Sequence, residues 1–479
     1  MLKRKHFRYR DIDALRTEIA ELGLSIRLEK KIEKLLDPVQ IGHKVAGNAF
    51  GIHPMEGCDG TLDGKPSELT IRRWERFGRG GAKLIWGEAT ALFDEVKSNS
   101  RQLVINDETA SSMESILNLT RNAHREEFGP NEEIIVGMQL THSGRYSYQK
   151  PLIAFRHPVV DKVTLIDKKN KIPIPDDYPV LSDDYLERQE DIFVEAAKLA
   201  WKTGFDFVDL KQCHTYLLSE LLAAKTREGK YGGSFENRTR FIRNIVGKIR
   251  AEVGDGLILA TRLNVYDGVA YMEDPETTVG IPRDIPTPYL YGFGVDENSP
   301  PQPDMTEPIK LVGMLKELGV KLVNVTTGSP YFNPHIGRPF ERPPIDGYET
   351  PEHPLIGVDR HIRLTGEIQG AYPGLPVVGT GYSWLQQYLV NAAEANVRDG
   401  RVSFVAVGRG ALAYPDYARD TIEGGEMVRK KVCVAVSYCT ALMRAKANPL
   451  GQFAAGCVPR DKIYAPIYKE AERTLTKRD

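Results

Sequence analysis

The chain is poor in cysteine, has no long apolar run and carries no surplus of either charge, and each shortage closes off a class of protein. Five cysteines in 479 residues, an odd number, make no disulfide framework and fit a reducing compartment. No stretch approaches the ~20 apolar residues needed to cross a bilayer, and the first residues lack the apolar core and small-residue cleavage site of a secretory leader. A cytoplasmic location away from membranes is therefore the expectation. Lysine and arginine number 64 against 65 aspartates and glutamates, with only short basic stretches at the two ends, so nothing marks a nucleic-acid surface. The length permits several domains or one barrel enlarged by insertions.

What is present is an alternation. Residues 1–40 read as one or two charged helices, with Ile12, Leu15, Ile19 and Leu22 near helical spacing, forming a cover and not a separate domain. Beyond them, apolar stretches of strand length (AKLIWG, EIIVGMQL, FDFVDL, LILATRLNV, VKLVNVT, LPVVGT, VSFVAVG) are separated by amphipathic segments. With a first strand around Lys44 to His53 this makes eight strands joined by crossovers, which predicts a (β/α)₈ TIM barrel over residues 41–427. Residues 428–479 form a C-terminal, cysteine-containing tail on or near the barrel. Long irregular insertions follow the third strand (Ser143 to Leu181) and the fifth (Tyr266 to Asp304), and a proline-rich, aromatic stretch, SPYFNPHIGRPFERPPIDGYETPEHP, follows the sixth. All fall at strand C-terminal ends, where barrel enzymes build their sites. The third reads either as an ordered lid or as a surface excursion.

The last two strands end in glycine turns, VVGTGYS and VAVGRGALAYPDY. In a barrel such turns offer backbone N–H groups to a phosphate, and Arg409 can add a charge-assisted bond, although glycine also ends strands for steric reasons alone. Taken with GNAFGIHPMEG, QLTHSGR, FDFVDLKQCHTYLLSELL and YGGSFENRTRF, in that order from about Val45 to Met427, the chain resembles the NADH:flavin oxidoreductase/old yellow enzyme family, and with it the barrel domain of 2,4-dienoyl-CoA reductase.

That resemblance implies FMN, reduced by NAD(P)H before a small-molecule electrophilic acceptor binds. It puts the backbone at Pro54 and Met55 along the flavin, Gln139 on its pyrimidine edge, Arg262 beside N1 and O2, and Gly379, Gly381, Gly408 and Arg409 at its phosphate. A fixed cation at N1 and O2 stabilises the charge that reduction leaves there. Glu56 stands where relatives often carry a small polar residue. A carboxylate facing the reduced flavin would disfavour it, so Glu56 is expected turned away or paired.

The end of the fourth strand carries the expected substrate site: Lys211, His214 and Tyr216. By the resemblance, the first two hold the oxygen of an enone-like acceptor and Tyr216 protonates its α-carbon. Lysine at the first position departs from the family's usual histidine. Its ammonium can stabilise an enolate oxygen, bind a substrate carboxylate or lie outward in a salt bridge. After the sixth strand, Tyr331 and His335 are candidates for the opposite wall, His335 equally a surface residue, and His142 reads as fold support.

Larger relatives carry a four-cysteine iron-sulfur motif after the barrel, and Cys433, Cys439 and Cys457 resemble it, but Val436 replaces one ligand and the last gap is longer. A [4Fe-4S] cluster is therefore not expected, and electrons should come from NAD(P)H directly or from a separate protein. Two rival readings stand beside the ene-reductase. One is a Schiff-base lyase or aldolase with Lys211 as nucleophile, and the other an interaction module on an inert barrel; an iron-sulfur-assisted flavin dehydrogenase is the variant of the first reading. The acceptor, the choice of NADH or NADPH and the existence of a homo-oligomer are left open.

Overall fold

The computed structural model describes residues 6–167, 170–343, 347–445 and 448–475. The basic stretches at the two ends, and Pro344 to Asp346 of the proline-rich excursion, lie outside the described residues.

Eight parallel strands close into a barrel: β1 (Phe50–Ile52), β2 (Leu84–Ala91), β3 (Ile135–Thr141), β4 (Phe207–Leu210), β5 (Ile258–Asn264), β6 (Leu322–Thr326), β7 (Val377–Gly379) and β8 (Phe404–Val407). They pair in sequence order, and β8 returns to β1 through Val405–Phe50 and Val407–Ile52. Every residue of these strands is buried, because side chains fill the inside and helices cover the outside, and this is why they read as unbroken apolar runs. The main helices after each strand are α1 (Glu68–Gly78), α2 (Ala110–Phe128), α3 (Asp183–Lys202), α4 (Arg240–Val253), α5 (Thr306–Glu317), α6 (Pro354–Ala371), α7 (Leu389–Arg398) and α8 (Tyr417–Gly424). Among the described residues no helix is long and apolar enough to cross a membrane.

The first barrel strand is shorter than the sequence suggests. Lys44–Ala46 pairs antiparallel with Val39–Ile41 through a turn at Gly42, and this hairpin lies under the barrel beside Ile258 and Lys321. Lys44 Nζ reaches Asp206 Oδ1 at 2.5 Å, and the barrel strand proper begins only at Phe50. Before the hairpin, the helix Ile12–Glu21 is capped by Asp11, whose Oδ1 accepts from the Ala14 amide at 2.8 Å. The strap that follows it docks on α6 and α7. Asp359 accepts from both the amide and the hydroxyl of Ser25, and the buried Glu394 carboxylate accepts from the amides of Glu33, Lys34 and Leu35.

Two buried arginines fix the loops at the barrel mouth. Arg73, on α1, sits between Asp59 and Glu88: Nη1 pairs with Asp59 Oδ2, and Nη2 donates to Glu88 Oε1 at 2.6 Å. Glu88 also accepts from the Trp74 indole at 3.2 Å and the Gly57 amide at 3.0 Å. A Cβ at position 57 would lie 2.2 Å from Arg73 Nη1, so only glycine fits. Arg145 does the same for the insertion after β3. Its Nε donates to Glu220 Oε1 at 2.8 Å and its Nη2 to the Phe155 carbonyl at 3.0 Å, while Nη1 pairs with Asp161.

The C-terminal segment packs against the barrel mouth. Asp461 pairs with Arg72 and Arg76 on α1, both at 2.7 Å, and the Ala455 amide donates to the Gly57 carbonyl at 2.7 Å.

Truncating Arg73 would leave two buried carboxylates without their cation, a loss of about 3–5 kcal/mol for a broken buried pair. Arg73→Ala is therefore expected to lower the unfolding free energy obtained from denaturant titration by that much, and a change under about 1 kcal/mol, the level of an exposed pair, would show that the network contributes nothing special.

Candidate active site

At the C-terminal end of the barrel, β4 leaves the sheet through two successive residues in the left-handed region, His214 (φ 65°) and Thr215 (φ 56°). Each costs on the order of 1–2 kcal/mol for a residue with a Cβ, so the surrounding contacts must hold the turn. Thr215 Oγ1 meets Ser329 Oγ at 3.2 Å, and the amide of Leu217 donates to the His142 carbonyl. The chain then enters the short helix Leu217–Ala223, with Tyr216 as its first flanking residue and Glu220 held by Arg145.

This turn brings Lys211, His214 and Tyr216 together. Lys211 is turned inward, 6% exposed, and its Nζ lies 3.7 Å from the centroid of the Tyr216 ring, a close cation–π contact. Burial lowers the Lys211 pKa, against the pull of the Cys213 thiol and the Glu56 carboxyl. His214 is held neutral, its pKa pushed well down by burial and then by the charges of Arg262 and Lys211. Tyr216 is 4% exposed, and burial, with Tyr331 and Glu56 nearby, pushes its phenol well up. Tyr331 arrives from the loop after β6, its hydroxyl 2.8 Å from that of Tyr216, and stacks on Tyr146 with ring centroids 3.6 Å apart. His335 lies elsewhere in that loop, buried, with Nδ1 2.7 Å from the Tyr348 hydroxyl and its ring against Tyr271.

Below this cluster the barrel interior holds Asp209, which sequence reading passed over. Its carboxylate accepts from the Trp86 indole at 2.8 Å, the Gln139 amide at 2.6 Å and the backbone N–H of Arg262 at 2.6 Å. The available signal was an acidic residue in the otherwise apolar FVDL strand. Glu56 is paired: Ser98 Oγ donates to its Oε1 at 2.9 Å, and Asn99 Nδ2 donates to the same oxygen. Ser98 and Asn99 lie on the loop after β2, in a segment without any motif. Pro54 and Met55 lead out of β1 into the loop that carries Glu56, and a Cβ at Gly408 would lie 3.6 Å from the Met55 sulfur. Gly379 and Gly381 end β7, and Gly381 takes φ +90°, with His361 filling the place where a Cβ would stand.

Arg409 donates from Nη2 to the Pro339 carbonyl at 2.7 Å and lines a small pocket with Cys433, Cys439 and Cys457. Val436 lines the same pocket, where a fourth thiolate would be required, and burial raises the pKa of the Cys433 and Cys457 thiols. This donor set does not fit a four-thiolate cluster. Among the described residues no group of three or more His, Cys, Asp or Glu side chains is placed to hold a metal ion.

A closed parallel barrel with basic and phenolic side chains converging at its C-terminal mouth defines an enzyme-type barrel site. A family model described as NADH:flavin oxidoreductase / NADH oxidase family matches residues 34–281, more than half of the chain, and the chain belongs to that family. Among curated relatives it is similar to an NADH oxidase of Thermoanaerobacter brockii, 25% identical over 446 residues, covering 89% of this chain and 56% of the relative. It is also similar to an NADPH dehydrogenase of Bacillus pumilus, 28% identical over 270 residues, 56% of this chain and 65% of the relative. The chain thus spans less than two thirds of the length of these relatives. Among solved structures, an old yellow enzyme homologue from Zymomonas mobilis shares the fold with a TM-score of 0.58 at 21% identity, over 83% of this chain and 95% of that one. A 2-naphthoyl-CoA reductase shares it with a TM-score of 0.64 at 19% identity, over 92% and 58%.

Burial sets the acid limit of the folded site. His142, His157, His335 and His361 are each pushed from 6.5 down to about 3, in every case chiefly by burial. His142 shows why: its Nδ1 accepts from the Gly144 amide at 3.1 Å and its Nε2 meets the Tyr185 hydroxyl at 2.9 Å, so a second ring proton would face an N–H. Between these values the unfolded chain binds more protons than the folded one, so stability falls as pH falls from 6.5 towards 3. His142→Asn, which keeps the acceptor facing Gly144, is expected to reduce the slope of unfolding free energy against pH in that window by up to about one proton. An unchanged slope in a pH series of chemical denaturations would show that His142 is not held neutral.

Proposed function

We propose that this chain is an FMN-dependent oxidoreductase of the old yellow enzyme type, taking hydride from NAD(P)H and delivering it to an activated C=C or a related electrophilic acceptor. The observation that carries the reading is the convergence of Lys211, His214 and Tyr216 with Arg262 at the mouth of a barrel that belongs to the NADH:flavin oxidoreductase family.

The residues fit FMN. Among the described residues, two guanidinium nitrogens around the mouth are buried without a protein partner: Arg262 Nε and Arg409 Nη1. An unmade bond at a buried donor costs about 1–3 kcal/mol, so such groups in one region favour a bound ligand rich in acceptors, as a flavin pyrimidine and a phosphate are. Arg262 would face the N1 and O2 edge, and Gln139, whose Nε2 is committed to Asp209, would offer its Oε1 to a ring N–H. The glycine turns at Gly379, Gly381 and Gly408 would hold the phosphate by backbone amides, with Arg409 Nη1 a donor nearby. When bound, the flavin supplies the two-electron step.

The protein's own part lies with the acceptor. Neutral His214 donates one N–H and Lys211 its ammonium to the acceptor oxygen, which gathers charge as the β-carbon is reduced. Tyr216 stands beside them to give its proton to the α-carbon. Lysine, with a full charge where a neutral ring is usual in the family, favours acceptors whose oxygen becomes strongly anionic or that carry a carboxylate.

Purified protein is expected to carry noncovalent FMN, released by denaturation and counted against protein. Arg262→Ala should weaken its retention or lower its reduction potential, and a folded protein that takes up no FMN would refute the proposal. With FMN in place, stopped-flow measurement of each half-reaction separates the roles. Tyr216→Phe should slow acceptor reduction by ~10²- to 10⁴-fold while NAD(P)H still reduces the flavin. An equal slowing of both halves would mean that the tyrosine only supports the site.

A further inference from the structure

A tyrosine that gives away its proton must be refilled, and Tyr216 is 4% exposed. Lys211 covers the face of its ring, Nζ 3.7 Å from the centroid, and is itself buried. A phenol so placed recovers its proton most directly through a partner that is hydrogen-bonded to it and open to solvent. Tyr331 has both properties: its hydroxyl lies 2.8 Å from that of Tyr216, and the residue is 41% exposed.

The place of Tyr331 is fixed from several sides. Its ring stacks on that of Tyr146, with centroids 3.6 Å apart and planes inclined by 11°. Its amide donates to Ser329 Oγ at 3.4 Å, and that hydroxyl meets Thr215 Oγ1 at 3.2 Å, in the left-handed turn that leads into Tyr216. Arg444 of the C-terminal segment donates to the carbonyl of Pro330 at 2.5 Å. The two residues before Tyr331 are thus tied to the loop after β4 and to the C-terminal segment, and the pair of hydroxyls completes the connection. Holding a half-open aromatic side chain in one orientation costs rotamer freedom that a tyrosine without a task would keep.

We infer that Tyr331 is the outer link of the proton path, taking protons from water and passing them to Tyr216, an inference that rests on the ene-reductase reading of the site. The electron pair of the acceptor's enolate forms the C–H bond at the α-carbon as the Tyr216 O–H bond breaks. The Tyr216 phenolate takes the proton of Tyr331, and the Tyr331 phenolate takes one from water, leaving hydroxide to the solvent. Nothing is oxidised or reduced along the path, and its net result is one water proton delivered to carbon. The order of the links suits the direction of flow. Two phenols share one intrinsic acidity, so the handover between them is not uphill by chemistry. The more open member is the better solvated as an anion, which draws the charge outward from Tyr216 to Tyr331.

The test is stopped-flow reoxidation of the reduced, FMN-loaded protein with 2-cyclohexenone as probe. Tyr331→Phe keeps the stacked ring and removes only the hydroxyl. It is expected to slow acceptor reduction by about tenfold, a part of the full general-acid effect, with the dissociation constant of the probe unchanged. Rates in mixtures of H2O and D2O should fall along a curve for wild type, where two protons move, and along a straight line for Tyr331→Phe. Because Tyr331 acts only through Tyr216, Tyr216→Phe combined with Tyr331→Phe should be no slower than Tyr216→Phe alone. An unchanged rate in Tyr331→Phe, a straight line for wild type, or a double variant slowed by the product of the two single effects overturns the path. A loss confined to binding of the probe does so too, and leaves Tyr331 as a wall of the site. Protein that takes up no FMN, or a Tyr216→Phe variant as fast as wild type, overturns instead the reading on which the path rests.

Discussion

Arg73 holds its guanidinium between Asp59 and Glu88 in the interior, and the mouth of the barrel depends on that contact. The ion pair is a poor way to gain stability, since removing charges from water costs nearly what their attraction returns. Its value is geometric. Glu88 lies on β2 and reaches across to the amide of Gly57, so the loop leaving β1 is fixed to the next strand one residue beyond Glu56. Because the guanidinium occupies the space of a missing Cβ, the path of that loop is set by what Arg73 excludes as much as by what it binds. Arg145 repeats the device on the other side of the mouth. There, one cation joins the insertion after β3 to Glu220, and the Glu220 carboxylate in turn accepts from the amide of Ala154 at 3.1 Å.

Within this frame the chemistry is concentrated by burial. Asp209 is pushed up and His214 pushed down by the same lack of water, and each is managed by donors and charges drawn from neighbouring strands. A barrel suits this, because successive parallel strands end side by side and bring residues far apart in sequence onto one floor.

Much of the architecture could be read from the chain alone. Strands buried on both faces announce themselves as apolar runs, and the insertions could be placed because turn-rich segments broke the rhythm. The first strand was misjudged in extent, since Lys44–Ala46 is extended and partly apolar yet turns back on Val39–Ile41. The clustering of Lys211, His214 and Tyr216 could be read because they share a single strand end, where spacing in sequence is spacing in space. Ser98, Asn99 and Tyr146 could not. Their relation to Glu56 and Tyr331 runs between loops more than 40 residues apart for the Glu56 pairs and far more for Tyr146, and no local pattern encodes it. His335 shows the converse: a histidine in an aromatic loop carries no sign of whether it faces a ligand or, as here, the hydroxyl of Tyr348.

The C-terminal segment touches three walls of the mouth at once. Ala455 bonds the Gly57 carbonyl, the Leu450 carbonyl accepts from Ser100 at 2.5 Å, and Arg444 reaches the carbonyl of Pro330, next to Tyr331. One ribbon is thus laced through the loops after β1, β2 and β6. The loops that carry Glu56, Ser98 and Tyr331 thus share one set of anchors, so a substitution that loosens the C-terminal segment would remove a support from all three together.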